Sequence, residues 1–316
     1  MRMAGLAIAV AWCVACTGTA APPPATASAP ATGRASPTSS SAAVASPRPI
    51  GKGRLETRSF VSAALHRTMQ YYAYLPGGYD DSAAVRYPVA YLLHGGGGSN
   101  REWIENGVTD TADRLMASGA IPQFIIVLPQ GDQEYWVDHV VDRATGANGE
   151  KWGTYAAREV VPEIDKTFHT VARPQGRAIG GLSMGGHGAM QLSINFPGIW
   201  SAVGAHSPAL RPLGDAPTYM GTTVLQFAER DPLQLIHSHP DIARTLKYWI
   251  DTAQLDPWVL ETTALHEQLV ADGIAHQWSS DPGGHDTPYW SSHMEAYLRF
   301  YADSLCRDRS SCPVGP

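Results

Sequence analysis

Apolar residues in this chain gather in short runs separated by polar, glycine-containing stretches. Tyr87-Pro88-Val89-Ala90-Tyr91-Leu92-Leu93 and Phe124-Ile125-Ile126-Val127-Leu128 are apolar at successive positions rather than alternate ones. That is the pattern of strands buried on both faces of a parallel sheet. Arg177-Ala178-Ile179-Gly180, Trp200 to Ala205, Leu246 to Ile250 and Ala275 to Ser279 read as further strands. Phe60 to Leu75, with alternating and aromatic residues, reads as one or two antiparallel strands. Helical segments fall between them: Asp110 to Ser118 with Thr109 or Asp110 as cap, Tyr155 to Phe168 despite Pro162, Gly186 to Ile194, Trp258 to Ala271 ending at Gly273, and Thr287 to Tyr301. Gly131 to Gly149 is polar and reads as a long loop. The alternation of strands and helices predicts an α/β fold, a mostly parallel central sheet with helices on both faces. Ligands in such sheets bind beyond the carboxyl ends of the strands.

The ends of the chain carry a different pattern. After Met1-Arg2-Met3, an apolar run from Ala4 to Ala15 has the length of a signal-peptide core and is too short to span a bilayer. It ends at Cys13-Val14-Ala15-Cys16, which predicts residues 1–16 as a lipoprotein-type signal with Cys16 as the lipidated residue; the alternative is a secretory signal cleaved near Ala20 or Ala21. Residues 17–53 are almost entirely Ala, Pro, Ser, Thr and Gly. Such a segment buries too little surface to offset its conformational entropy and is expected to be a disordered tether. Cys306 and Cys312, in the tail 306–316, are expected to form a disulfide in an oxidising compartment. What remains, 54–305, suits one α/β domain. The expected location is therefore outside the cell, as a surface lipoprotein or a secreted protein, with membrane contact only through the lipid. A net charge of −6 and a pI near 6.0 leave no nucleic-acid footprint.

Candidate chemistry centres on Gly181-Leu182-Ser183-Met184-Gly185, placed between a strand and a helix. A serine on such a turn is exposed at the sheet edge, with the helix N-terminus facing any oxyanion formed there. Pro282-Gly283-Gly284-His285-Asp286 follows the last strand, so His285 is the candidate general base. His187 is close in sequence but points away along the helix. The orienting acid falls between serine and histidine in chain order, at Asp256 in the loop or Asp251 at the strand end, with Asp256 preferred. Asp256 precedes Pro257, so it also fits a helix N-cap. His94-Gly95-Gly96-Gly97-Gly98 and the residue after the serine offer the Gly96 and Met184 amides as an oxyanion hole. No Gly-Lys-Ser/Thr follows the glycines, which argues against a nucleotide loop. Tyr135, Trp136 and Trp152 are candidates to line an acyl or aromatic pocket. His237-Ser238-His239 lacks a third ligand, so no metal and no cofactor is expected.

With these motifs in place, the chain resembles the esterase-D-type branch of the α/β-hydrolases, which includes feruloyl esterases, S-formylglutathione hydrolases, enterochelin esterases and mycolyltransferases. The matching residues are Tyr91 to Gly98 with Trp103, Ile125 to Pro129, Gly180 to Ala189, and Pro282 to Asp286 with Trp290. The resemblance spans nearly all of 60 to 303 and implies an α/β-hydrolase fold, a triad of Ser183, Asp256 and His285, and the Gly96 and Met184 amides as oxyanion donors. One departure is Ala253, where the family usually has glycine three residues before the aspartate. The expected activity is serine carboxylic-ester hydrolysis on a small-molecule or polysaccharide-linked ester. The alternatives are an acyltransferase of the mycolyltransferase type and a catalytically inactive surface-binding protein.

Overall fold

A computed structural model describes residues 51–81, 85–140 and 149–305. The expected signal, the lipidated Cys16, nearly all of the tether, and the Cys306–Cys312 pair lie outside the described residues.

Eight strands form one sheet: β1 Arg54–Ser62, β2 Arg67–Leu75, β3 Val89–Leu93, β4 Ile125–Pro129, β5 Arg177–Leu182, β6 Ala202–His206, β7 Lys247–Ala253 and β8 His276–Asp281. Their order is β1-β2-β4-β3-β5-β6-β7-β8. The first two form an antiparallel hairpin, β2 is antiparallel to β4, and all remaining pairs are parallel. Successive residues of the inner strands go to opposite faces, as the pleat requires. Val89, Tyr91, Ile125, Val127 and Ile179 join a core with the helices Met184–Asn195 and Val259–Ala271. Ala90, Leu92, Ile126 and Leu128 join another with the helices Val108–Ala117 and Thr287–Leu305. This is the α/β-hydrolase arrangement. The chain leaves β3 toward β4 and leaves β5 toward β6, in opposite directions. The reversal opens a crevice beyond the carboxyl ends of β3 and β5, where ligands bind in such sheets.

Several boundaries differ from the sequence expectation, each for a physical reason. The helix expected to be capped by Thr109 or Asp110 instead starts at Val108, behind Gly107 at φ 90°, with no side-chain cap. The segment around Pro162 is helical, but Tyr155–Val160 is a π turn between Trp152–Thr154 and Val161–Thr167. Pro162 lacks a donor and its ring crowds the preceding turn, and a widened turn just before it accommodates both. β7 runs three residues beyond Ile250, which draws Asp251 fully inside the sheet. Short helices between β6 and β7, such as Pro232–Ser238, were not legible as periodic segments.

Candidate active site

Ser183 sits on the turn between β5 and the helix Met184–Asn195, with φ 54° and ψ −118°. Few non-glycine residues adopt this conformation, and the surrounding packing holds it. The flanking glycines are required by space. A Cβ on Gly181 would lie 2.1 Å from the Gly185 carbonyl carbon, and one on Gly185 would lie 2.3 Å from the Leu93 carbonyl oxygen. The turn is further tied to β6, because the Ser183 amide donates to the His206 carbonyl (2.9 Å) and the Ser183 carbonyl accepts from Ala209 N–H (3.0 Å). Ser183 is 8% exposed, so its hydroxyl is presented at the base of a crevice.

The Ser183 hydroxyl lies 2.8 Å from His285 Nε2, and His285 Nδ1 lies 2.7 Å from Asp256 Oδ2. A carboxylate only accepts, so the His285 Nδ1–H donates to Asp256 and Nε2 keeps the lone pair that takes the serine proton. The other oxygen, Asp256 Oδ1, accepts the Trp258 amide at 2.8 Å. Asp256 therefore ties down both the turn that leads into the helix Val259–Ala271 and the histidine, one oxygen for each, while the helix N-cap itself is Trp258. The two loops are laced together: Gln254 N–H donates to the Asp281 carbonyl and Leu255 N–H to that of Gly283. His285 stands between two indoles at ring separations of 4.8 Å to Trp258 and 5.0 Å to Trp290.

Asp251, the other candidate acid, is elsewhere. It is fully buried and bonds His206 Nδ1 at 2.6 Å, and the Tyr289 and Tyr297 hydroxyls donate to its second oxygen at 3.1 and 2.9 Å. The Tyr301 hydroxyl closes the network on His206 Nε2 at 2.8 Å. Burial beside Asp251 drives the Tyr297 hydroxyl far above its ordinary range. Gly180 and Gly204 make room for Tyr301: a Cβ at either position would collide with its hydroxyl. At Ala253, where the family usually has glycine, the methyl packs into the core at the end of β7.

Above the serine lies the glycine loop that follows β3. His94 is buried, which lowers its pKa and favours the neutral ring. Its Nδ1 faces the Gly95 carbonyl and its Nε2 accepts Gly131 N–H, both at 2.9 Å. The Gly95 amide donates to Glu102 Oε2, the Gly97 amide to Gln133 Oε1 (both 2.5 Å), and the Gly98 amide to the Gly95 carbonyl. Among the described residues the Gly96 amide has no protein acceptor. As the first residue of its helix, Met184 has an amide without an intrahelical partner. A Cβ built on Gly96 would sit 4.0 Å from that of Met184, so the two are neighbours. Burial raises the Glu102 carboxyl, while the Gly95 amide and the nearby His285 oppose that rise.

Trp136 and Trp152, expected at a pocket, are each 1% exposed and belong to the core. The Trp136 indole covers Gly131 and Gly188 and donates to the His94 carbonyl (3.3 Å), so it supports the glycine loop from behind. Trp152 donates to Glu150 and carries Arg67 on its face. Tyr135 is also buried and accepts from Arg211 Nε at 2.7 Å. The crevice is flanked instead by Trp258, with Arg211 stacked on it at 5.1 Å. On the glycine-loop side is a polar recess of about 410 Å³ lined by Gly96, Ser99, Glu102, Glu105, Asn106 and Thr287. Glu102, Gln133 and Arg211 were missed from sequence because nothing in their spacing marks them; only the folded loops bring them to the site. His187 lies beneath the helix with Nε2 on the Arg230 carbonyl (2.9 Å). His237 faces Asp272 while His239 faces the Leu235 carbonyl, so the two do not converge.

Residues 62–301 match the family described as putative esterase. An esterase of Mycobacterium tuberculosis is 28% identical over 247 residues, 67% of this chain and 51% of that protein. This chain therefore spans about half the length of such curated relatives. A solved ferulic acid esterase superposes with a TM-score of 0.71 at 27% identity, covering 81% of this chain and 99% of that one. An S-formylglutathione hydrolase from Agrobacterium tumefaciens reaches 0.67 at 18% identity over 83% and 99%, a likeness of fold.

Proposed function

The chain belongs to the esterase family, and we propose that it is a serine carboxylic-ester hydrolase working through an acyl-enzyme on Ser183. The observation that carries this reading is the unbroken chain from the Ser183 hydroxyl through both nitrogens of His285 to Asp256. In the first half-reaction Ser183 Oγ attacks the ester carbonyl and its proton passes to His285 Nε2. Asp256 stabilises the imidazolium that results. The negative charge on the former carbonyl oxygen is met by the Gly96 and Met184 amides. Collapse breaks the acyl–alcohol bond, and His285 returns its proton to the departing alcohol. Water, deprotonated by His285, then attacks the acyl-enzyme and releases the acid and the free serine.

The substrate is a small-molecule or polysaccharide-linked ester. The 27% identity to a ferulic acid esterase supports this, as does the polar recess beside the glycine loop, whose carboxylates and hydroxyls suit a hydroxyl-bearing alcohol portion. The enzyme works outside the cell, held by lipidated Cys16 or released, as its N-terminal sequence supports. Hydrolysis of p-nitrophenyl acetate and of a methyl hydroxycinnamate ester, with Ser183→Ala as control, tests the reading: serine-independent turnover, or none on any short ester, defeats it. Adding an acceptor sugar and assaying for transferred acyl product separates hydrolase from acyltransferase.

A further inference from the structure

We propose that Glu102 and Gln133 are positioning residues that fix the oxyanion donor, by holding the amides on either side of Gly96. The inference rests on the reading of Gly96 and Met184 as the oxyanion hole. The loop Gly95–Gly98 has no side chains of its own to anchor it, and glycine loses more backbone freedom on ordering than any other residue. A hydrogen-bond donor stabilises a transition state most when it is fixed beforehand, because no ordering then has to occur during the reaction. Two side-chain oxygens provide that order. Glu102 Oε2 accepts Gly95 N–H from one side and Gln133 Oε1 accepts Gly97 N–H from the other, each at 2.5 Å. The amide between them is left unpaired among the described residues and adjoins Met184.

The backbone that carries each side chain is itself anchored. Trp103, next to Glu102, donates its indole N–H to the Leu93 carbonyl at the end of β3 (3.0 Å). The Gln133 carbonyl accepts the Tyr219 hydroxyl at 2.8 Å. The glycines are shaped to this arrangement. A Cβ on Gly98 would lie 2.9 Å from the Glu102 carboxyl carbon, and one on Gly95 would lie 3.4 Å from Glu102 Oε1 and 3.2 Å from Ser183 Cβ. The loop thus passes close around the carboxylate, and a side chain at position 98 would have to displace it. It is the carbonyl-type oxygen that matters here rather than the charge, since a negative group gains nothing beside an oxyanion.

The test uses the full chain with p-nitrophenyl acetate, a substrate too small to fill the polar recess. Losing a single oxyanion donor costs about 10²–10³ in kcat. Glu102→Ala and Gln133→Ala are each expected to lose about 10-fold to 100-fold in kcat with KM changed less than about threefold. Glu102→Gln keeps an acceptor oxygen and is expected to retain most of the activity. A boronic acid that forms a tetrahedral adduct on serine should weaken in step with kcat/KM across the series. If Glu102→Gln loses as much as Glu102→Ala, charge and not positioning is the role and the proposal falls. It also falls if both alanine variants keep kcat within twofold while Ser183→Ala is inactive. If Ser183→Ala itself remains active, the underlying esterase reading fails instead. Should Glu102→Ala not fold, Gln133→Ala and Glu102→Gln still decide between positioning and charge.

Discussion

The two shortest histidine–aspartate pairs among the described residues are nearly equal in length. His285–Asp256 measures 2.7 Å and His206–Asp251 measures 2.6 Å. In each, a histidine Nδ1 faces a carboxylate and Nε2 faces a hydroxyl. The hydroxyls make the difference. Behind His285 the hydroxyl is Ser183, on a strained turn at the base of a crevice. Behind His206 it is Tyr301, sealed beneath the sheet, with two more tyrosines on the aspartate. An aliphatic hydroxyl within reach of an ester becomes a nucleophile when a base takes its proton. A phenol enclosed on all sides becomes a fastener between the C-terminal helix and the sheet. On the proposed reading, the same three-group arrangement does chemistry in one place and holds structure in the other, according to the kind of hydroxyl and its access.

The comparison breaks or sharpens under substitution. Ser183→Ala should lower kcat by at least about 10⁴-fold, read with a chromogenic ester, at unchanged melting temperature. Asp256→Asn should cost about 10⁴-fold in kcat and keep the fold, because the histidine is left in the wrong tautomer. Asp251→Ala should do the opposite. It strands a buried imidazole and two phenols, so chemical denaturation should show a loss of about 3–5 kcal/mol, with kcat of the folded fraction within tenfold of wild type. A kcat loss like that of Asp256→Asn would transfer the acid's role to Asp251 and undo the comparison.

A third histidine gives a pH signature. Burial pushes His187 from its ordinary 6.5 down to about 4. The unfolded chain therefore binds this proton first, so the stability due to a neutral His187 is whole above about pH 6.5 and is lost as pH falls toward 4, on the order of 3 kcal/mol. Urea midpoints between pH 7 and 4.5 should fall less steeply in His187→Gln than in wild type; equal slopes would remove His187 from the acid response. The smallest effect is expected from Tyr301→Phe, which leaves His206 Nε2 without a partner and should cost about 1–3 kcal/mol.

Much of this site was legible from sequence because chain order and glycine spacing are local signals. Ser183, His285 and the glycine run announce themselves by their neighbours. The choice between Asp251 and Asp256 was not so easily read, because it depends on where β7 stops. Three added residues of strand turn Asp251 inward, and a strand's end is set by pairing with β6 and β8 rather than by its own residues. Trp136 and Trp152 looked like pocket residues because large aromatics suit either a pocket or a core, and only burial decides. Glu102 and Gln133 were invisible for the complementary reason. Each is an ordinary polar residue until the fold brings it against a glycine amide from another segment.

The backbone angle at residue 183 has a consequence for the history of the chain. A serine held at φ 54° costs about 1–3 kcal/mol relative to a relaxed residue, and glycine would relieve that strain while preserving the turn. A lineage that used this fold only to adhere to a surface would gain stability by fixing glycine there, with nothing to lose. Serine at an angle suited to glycine therefore carries a standing cost in stability, one that the proposed turnover at Ser183 would offset and a purely adhesive role would not.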